Sequence, residues 1–225
     1  MKTFAKLTAT AGAGAAILVA SSFLSSSVAL AAPCAAGSVA TYTTPGFSCS
    51  VGALTFSDFT VVTSAAGGAF VDVSSPNAFN PVSFSYNGHQ EYGFELSYGA
   101  GALGAGLADV NVNYHVSSAP GAMVDAYMSL AGSASGLASV ILDETLSNGG
   151  VLHLGAAGVD WITFPGVDSL FAVKDQSDIA IDGVAVSSSL IDAFSITSVP
   201  EPGTMALFGA ALFGSTLWLR RRRKS

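Results

Sequence analysis

The chain has 225 residues, half of them hydrophobic and only 10% charged, with a formal net charge of −7. The charge is unevenly spread: residues 32–199 hold fourteen acidic residues against one cation, Lys174, because the other seven cations lie in the first six and last six positions. So acidic a stretch repels phosphate backbones, which excludes nucleic-acid binding, and it is long enough to bury one core of its own.

Lys2 and Lys6 precede a small-residue apolar stretch over 9–20, and Ala29-Leu30-Ala31 has the A-x-A form of a cleavage site. This predicts a signal peptide over 1–31, cut after Ala31, and an ectodomain over 32–198. Cys34 and Cys49 open that ectodomain fifteen positions apart. Two cysteines in an exported chain predict a disulfide, and closing such a loop stabilises by about 3 kcal/mol.

From residue 54 onward the pattern is that of strands. Tyr92, Phe94, Leu96 and Tyr98 alternate with Glu91, Gly93, Glu95 and Ser97; Val110, Val112, Tyr114 and Val116 alternate with Asp109, Asn111, Asn113 and His115. A period of two puts one row in a core and the other in water. Shorter strand-like runs are predicted over 54–62, 69–73, 82–86, 122–130, 137–142, 151–154, 160–164, 169–174, 179–181 and 191–197, separated by Gly, Pro, Asn and Ser clusters. No segment of 32–198 carries a sustained helical stripe. Many short strands with frequent turn signals predict an all-β fold, an antiparallel β-sandwich or jelly roll.

The chemical motifs are weak. Gly99-Ala100-Gly101-Ala102-Leu103-Gly104 fits GxGxxG but is followed by another alternating run and not by a helix, so it is a chance match in a chain with 25 glycines. Gly132-Ser133-Ala134-Ser135-Gly136 has alanine where a nucleophile elbow needs serine. His89, His115 and His153 are scattered, and Glu91 and Glu95 share one strand face instead of facing each other across a cleft. Asp175, Asp178 and Asp182 cluster, with Asp143-Glu144 near a turn, but no D-x-D-x-D-G loop accompanies them. They read as a solvated acidic face, with calcium the one cofactor they would invite. An ice-binding surface needs a repeated Thr array, and Thr41-Tyr42-Thr43 is all the chain offers.

The tail is different in kind. Val199-Pro200-Glu201-Pro202-Gly203 is followed by an uncharged run over 205–219 and by Arg220-Arg221-Arg222-Arg223-Lys224-Ser225. Pro200 and Pro202 hold the hinge extended and accessible. As a helix the fifteen-residue run spans about 22 Å, short of a hydrocarbon core of roughly 30 Å, with the arginine side chains snorkelling to the interface. Five cations beyond it stay cytoplasmic and leave the ectodomain outside. In order and composition this tail resembles the PEP-CTERM sorting signal of Gram-negative bacteria, with the motif over 199–203, a transmembrane helix over 204–219 and the basic cluster over 220–224. The segments 49–59 and 169–194 resemble, more loosely, the opening and closing stretches of ectodomains that carry such tails. The resemblance implies that a membrane-embedded exosortase recognises Pro200, Glu201 and Pro202, removes the helix and basic cluster, and leaves the ectodomain at the cell surface or in an exopolysaccharide matrix.

The sequence therefore reads as an exported, non-enzymatic surface or matrix protein, handled by signal peptidase and an exosortase. The runner-up is a carbohydrate-binding module, with or without calcium, whose exposed aromatics such as Trp161, Tyr92 or Tyr127 line a sugar face. A secreted hydrolase comes third. A contiguous aromatic platform favours the second, and a cleft holding His with carboxylate or Ser favours the third.

Overall fold

A computed structural model describes residues 31–118 and 122–197. They form one short helix, α1 (Val39–Tyr42), and eight strands: β1 (Ser48–Val51), β2 (Leu54–Asp72), β3 (Phe79–Tyr86), β4 (His89–Ser118), β5 (Met123–Leu146), β6 (Val151–Leu154), β7 (Gly158–Val167) and β8 (Ser169–Ile196). Every named strand pairing is antiparallel, in the order β1-β2-β4-β8-β5-β6, with β3 added to β4 and β7 added to β5.

Four of these strands are far longer than the predicted runs. The stretches 54–62 and 69–73 belong to one strand, 91–98 and 109–116 to another, 122–130 and 137–142 to a third, and the last three runs to β8. The strands do not stop at their glycines; they fold there. Phe94 and Tyr114 lie twenty residues apart on β4, about 65 Å if extended, yet their ring centroids are 4.9 Å apart. The fold line crosses the sheet in register, through Gly67 paired with Gly106 on β2 and β4, and Gly136 paired with Gly183 on β5 and β8. Gly67 has φ +65°, and a Cβ there would sit 2.1 Å from the Ala105 carbonyl oxygen; Gly136 has φ +72° and the same conflict with the Asp182 carbonyl. Glycine at such positions bends and twists a strand while its ladder continues on both sides.

The result is an antiparallel β-sandwich whose layers share four strands. One layer holds β1, β6, the first half of β2, the second halves of β4 and β5, and the first half of β8; the other holds β3, β7 and the remaining halves. The core is a wedge. Near the crease the inward residues are Ala100, Ala102, Ala108, Ala180 and Ala185, all buried. Away from it the layers part enough for Phe56, Phe59, Phe79, Phe94, Tyr114 and Phe194 to pack edge to face. Truncating one such ring to Ala typically costs about 3–5 kcal/mol. The N-terminal segment closes the open end: Tyr42 of α1 stacks on Phe79 at 4.5 Å, and Cys34 is bonded to Cys49 of β1, the disulfide expected from the sequence.

The predicted core rows are correct on β4, where Val110, Val112, Tyr114 and Val116 are fully buried. The polar residues hold a surprise. Lys174, Gln176 and Asp178 alternate along β8 and point inward. Lys174, the one cation of the described residues, is completely buried, its Nζ 2.8 Å from Glu144 and 3.2 Å from Asp192. Gln176 and Ser187 each donate a 2.8 Å hydrogen bond to Asp178.

Candidate functional site

The second layer turns a patterned face to solvent. Strand parity and register set Phe84 of β3 beside Glu91 of β4, Glu91 beside Ser195 of β8, and Ser195 beside Asp125 of β5. The adjoining rows bring Tyr86 beside His89, and Tyr127 beside Trp161 of β7. Gly93 and Ala193 form a low floor between the flanking strands, because Gly93 approaches β8 so closely that a Cβ there would sit 1.8 Å from the Asp192 carbonyl oxygen. Across that floor the aromatics meet: Phe84 and Tyr127 at 4.9 Å, Tyr86 and Tyr127 at 4.7 Å, Tyr86 and Trp161 at 6.3 Å between centroids. Trp161 is the most open of them, 39% exposed.

Beneath these rings lie two carboxyl groups. Glu91 and Asp125 are each only 2% exposed although both sit on the outward side of the sheet. Asp125 accepts a 2.8 Å hydrogen bond from the Ser195 amide and lies 3.2 Å from His89 Nδ1. Glu91 Oε2 has no hydrogen-bond partner among the described residues. Burial, reinforced by the charge of Asp125, pushes the Glu91 carboxyl up to about 8, so it holds a proton at neutral pH. Burial raises the Tyr127 hydroxyl as well.

Ser195, His89 and Asp125 have the composition of a nucleophilic triad but not its geometry. Ser195 Oγ lies 3.3 Å from His89 Nδ1, and Asp125 approaches the same nitrogen. A relay needs the carboxylate and the nucleophile on opposite ring nitrogens, so that one orients the ring while the other yields its proton. Ser195 is also buried to 1%.

Other residues singled out in the sequence disperse. Tyr92 does not join the aromatic face: it is on the opposite parity, its ring filling the space beside Gly52. Asp175, Asp178 and Asp182 do not converge: a spacing of three on a strand places Asp175 and Asp178 on opposite faces, and Asp182 lies at the crease beside Gly183. Asp178 is bonded in the interior, while Asp175 faces out opposite Asp143, its carboxyl raised by burial and by Asp109 and Asp143. Among the described residues no group of three His, Cys, Asp or Glu side chains is arranged to hold a metal ion. Asp143 and Glu144 also part, Asp143 bonding His153 at 2.6 Å on the surface and Glu144 joining Lys174 inside. His115 packs against Phe171. The GxGxxG stretch is part of the crease in β4, and the serines and glycines at 132–136 are the matching part of β5. Sequence reasoning missed Phe84, Tyr86 and Asp125; the parity of the predicted run 122–130 already placed Asp125 and Tyr127 on one face.

Residues 198–224 match the PEP-CTERM protein-sorting motif. The chain thus carries the signal of an exported protein that is sorted through the membrane and processed by exosortase, a membrane enzyme. The signal cleavage residue Ala29, the motif residues Pro200, Glu201 and Pro202, the predicted transmembrane helix and the basic cluster lie outside the described residues. Within those residues no helix is long and apolar enough to cross a membrane. No curated protein matches the chain in sequence. Among solved structures it is similar to TmCBM61, solved in complex with β-1,4-galactotriose, at 10% identity and TM-score 0.29 over 62% of this chain and 88% of that one. It is similar to the family 11 carbohydrate-binding module of a Clostridium thermocellum cellulosomal cellulase at 12% identity and TM-score 0.25, over 63% and 90% of the two chains. It is also similar to the enzymatically active domain of a Bacteriophage CBA120 tailspike, at 11% identity and TM-score 0.27, over 62% and 19%. Likeness at this level carries no ligand or activity with it.

Proposed function

We propose that the mature chain is a non-enzymatic protein of the cell surface or extracellular matrix that holds exopolysaccharide on its aromatic face. The observation that carries this reading is the row of Phe84, Tyr86, Tyr127 and Trp161 over the Gly93–Ala193 floor. Sugar rings present an apolar C–H face and a rim of hydroxyls, and aromatic side chains beside carboxyl and imidazole groups suit both. The hydrolase reading is disfavoured by the shared Nδ1 of His89, and the carbohydrate-binding module reading describes the same face.

Two experiments test this reading. In the native host, Glu201→Ala leaves a membrane-retained precursor, and intact mass spectrometry of wild-type surface protein finds residues 1–31 and 220–225 absent; an intact basic tail at the surface would mean that exosortase does not handle this chain. Co-sedimentation of exported protein with the host's extracellular polysaccharide tests the ectodomain. Trp161→Ala weakens that association about tenfold, the order expected for losing one stacking ring. Unchanged co-sedimentation of the variant would remove the aromatic face from the account.

A further inference from the structure

The two carboxyl groups under the aromatic face have no lysine or arginine to neutralise them. Lys174, the one Lys or Arg side chain among the described residues, is buried against Glu144 and Asp192 in the interior. The groups that face Glu91 and Asp125 on the second layer are His89 of β4, Ser195 of β8, Tyr127 of β5, Thr163 of β7, and Phe84 and Tyr86 of β3. Of these only His89 can carry positive charge, and its side chain is 44% exposed at the rim. The site sets two acids, one of them with an unpartnered oxygen, beneath aromatic rings. Paired acids without a counter-ion and bounded by aromatic faces suit an organic ammonium group, which gains from both the carboxylates and the ring quadrupoles.

Resting on the polysaccharide reading above, we infer that this face recognises a saccharide bearing a protonated amine, with the ammonium at Glu91 and Asp125 and its sugar ring against Tyr86 and Trp161. His89 is the gate, since its imidazole occupies the position over Asp125 that an ammonium would take. The proton balance follows from the site. In the free protein Glu91 is protonated; as the ammonium docks, Glu91 becomes a carboxylate and its proton leaves to solvent, while the ligand keeps its own. Binding therefore releases protons, and a neutral oligomer binding by stacking alone releases none.

The test uses exported, processed protein and three trimers of matched length: glucosamine, N-acetylglucosamine and glucose in β-1,4 linkage. Titration calorimetry in buffers of different ionisation enthalpy reads affinity and proton release together. The glucosamine trimer should bind about tenfold or more tightly than either neutral trimer, with proton release. Glu91→Gln, which keeps shape and removes charge, should abolish both the preference and the release; Asp58→Asn, an exposed acid of the other layer, should change neither. Equal affinity for free and acetylated trimers, or a preference that survives Glu91→Gln, overturns the amine assignment while leaving saccharide binding intact. Binding of no trimer and no host polysaccharide overturns the polysaccharide reading and this inference together.

Discussion

The molecule buries carboxyl groups in two places and treats them differently. In the interior, Glu144 and Asp192 share the single lysine, all three with no exposure at all. On the outer face, Glu91 and Asp125 are nearly as buried but have only the half-open His89 and the Ser195 amide. The interior set is closed: its cation is covalently part of the fold and sits on β8, which lies between β4 and β5 in both layers. One lysine faces two carboxyl groups, and burial raises both, Asp192 well above its usual range and Glu144 against the opposing pull of Lys174. The outer set is open, with aromatics where the interior has a lysine. Buried acids with an internal counter-ion serve the fold, whereas strongly perturbed acids without one are of the kind that clusters at functional sites.

The sharpest way to break this comparison is to take the lysine away. Lys174→Met leaves two buried acids without a cation and should destabilise by about 3–5 kcal/mol, seen as a lower urea midpoint of the exported domain. Adding Glu144→Leu and Asp192→Leu in the same chain should restore much of the loss, because a well-packed apolar cluster often equals a buried ion pair. If Lys174→Met alone is neutral, the interior set is not a closed charge cluster and the contrast with Glu91 falls.

How far the sequence reveals these sites depends on what strand parity can carry. The alternation around Phe94 and Tyr114 correctly gives which side chains enter the core, because a period of two is local. It assigns Glu91 to water, and here parity is right about direction and wrong about exposure, since the covering rings come from β3, the paired neighbour, and from β5, beyond β8. Lys174, Gln176 and Asp178 invert the usual rule that the polar row faces out, and no local signal marks a lysine whose partners are 30 residues before it and 18 after it. Glycines were read as strand ends because turns use them; that they bend one continuous strand follows only from their lateral register, Gly67 with Gly106 and Gly183 with Gly136. The sorting motif is legible because it is a linear signal that needs no fold.

A second prediction separates the two sets by pH. Glu91 is held up to about 8 in the folded chain against an ordinary carboxylate value when unfolded. Between those values the folded state binds the extra proton, so stability is greatest at the acid end of the window and falls as pH rises through it, levelling off above about 8. The loss attributable to Glu91 is on the order of 2–4 kcal/mol. Glu91→Gln should flatten the profile between about pH 5 and 8 and raise the melting temperature at its alkaline end. A variant whose profile parallels wild type would show that Glu91 is not held protonated and would move the outer set closer to an ordinary surface acid.

The smallest expected effect concerns inorganic cations, and it decides whether the missing counter-ion of the outer set is simply a metal. Calcium wants six to eight oxygen ligands around one point. Glu91 and Asp125 offer carboxyl oxygens beside a histidine and aromatic rings, a poor set for a hard cation, and Asp175, Asp178 and Asp182 are divided between the outer face, the interior and the crease. The exposed acids repel one another, and any salt screens that repulsion over a Debye length of about 10 Å at 0.1 M. NaCl and CaCl₂ matched for ionic strength should therefore raise the melting temperature alike, differing by less than about 2 °C, under 1 kcal/mol for a domain of this size. An excess for calcium that disappears in Asp178→Asn would put a metal inside the sandwich, where Gln176 and Ser187 now satisfy that carboxylate. An excess that disappears in Glu91→Gln would instead make the outer set a metal site and take the ammonium's place from it.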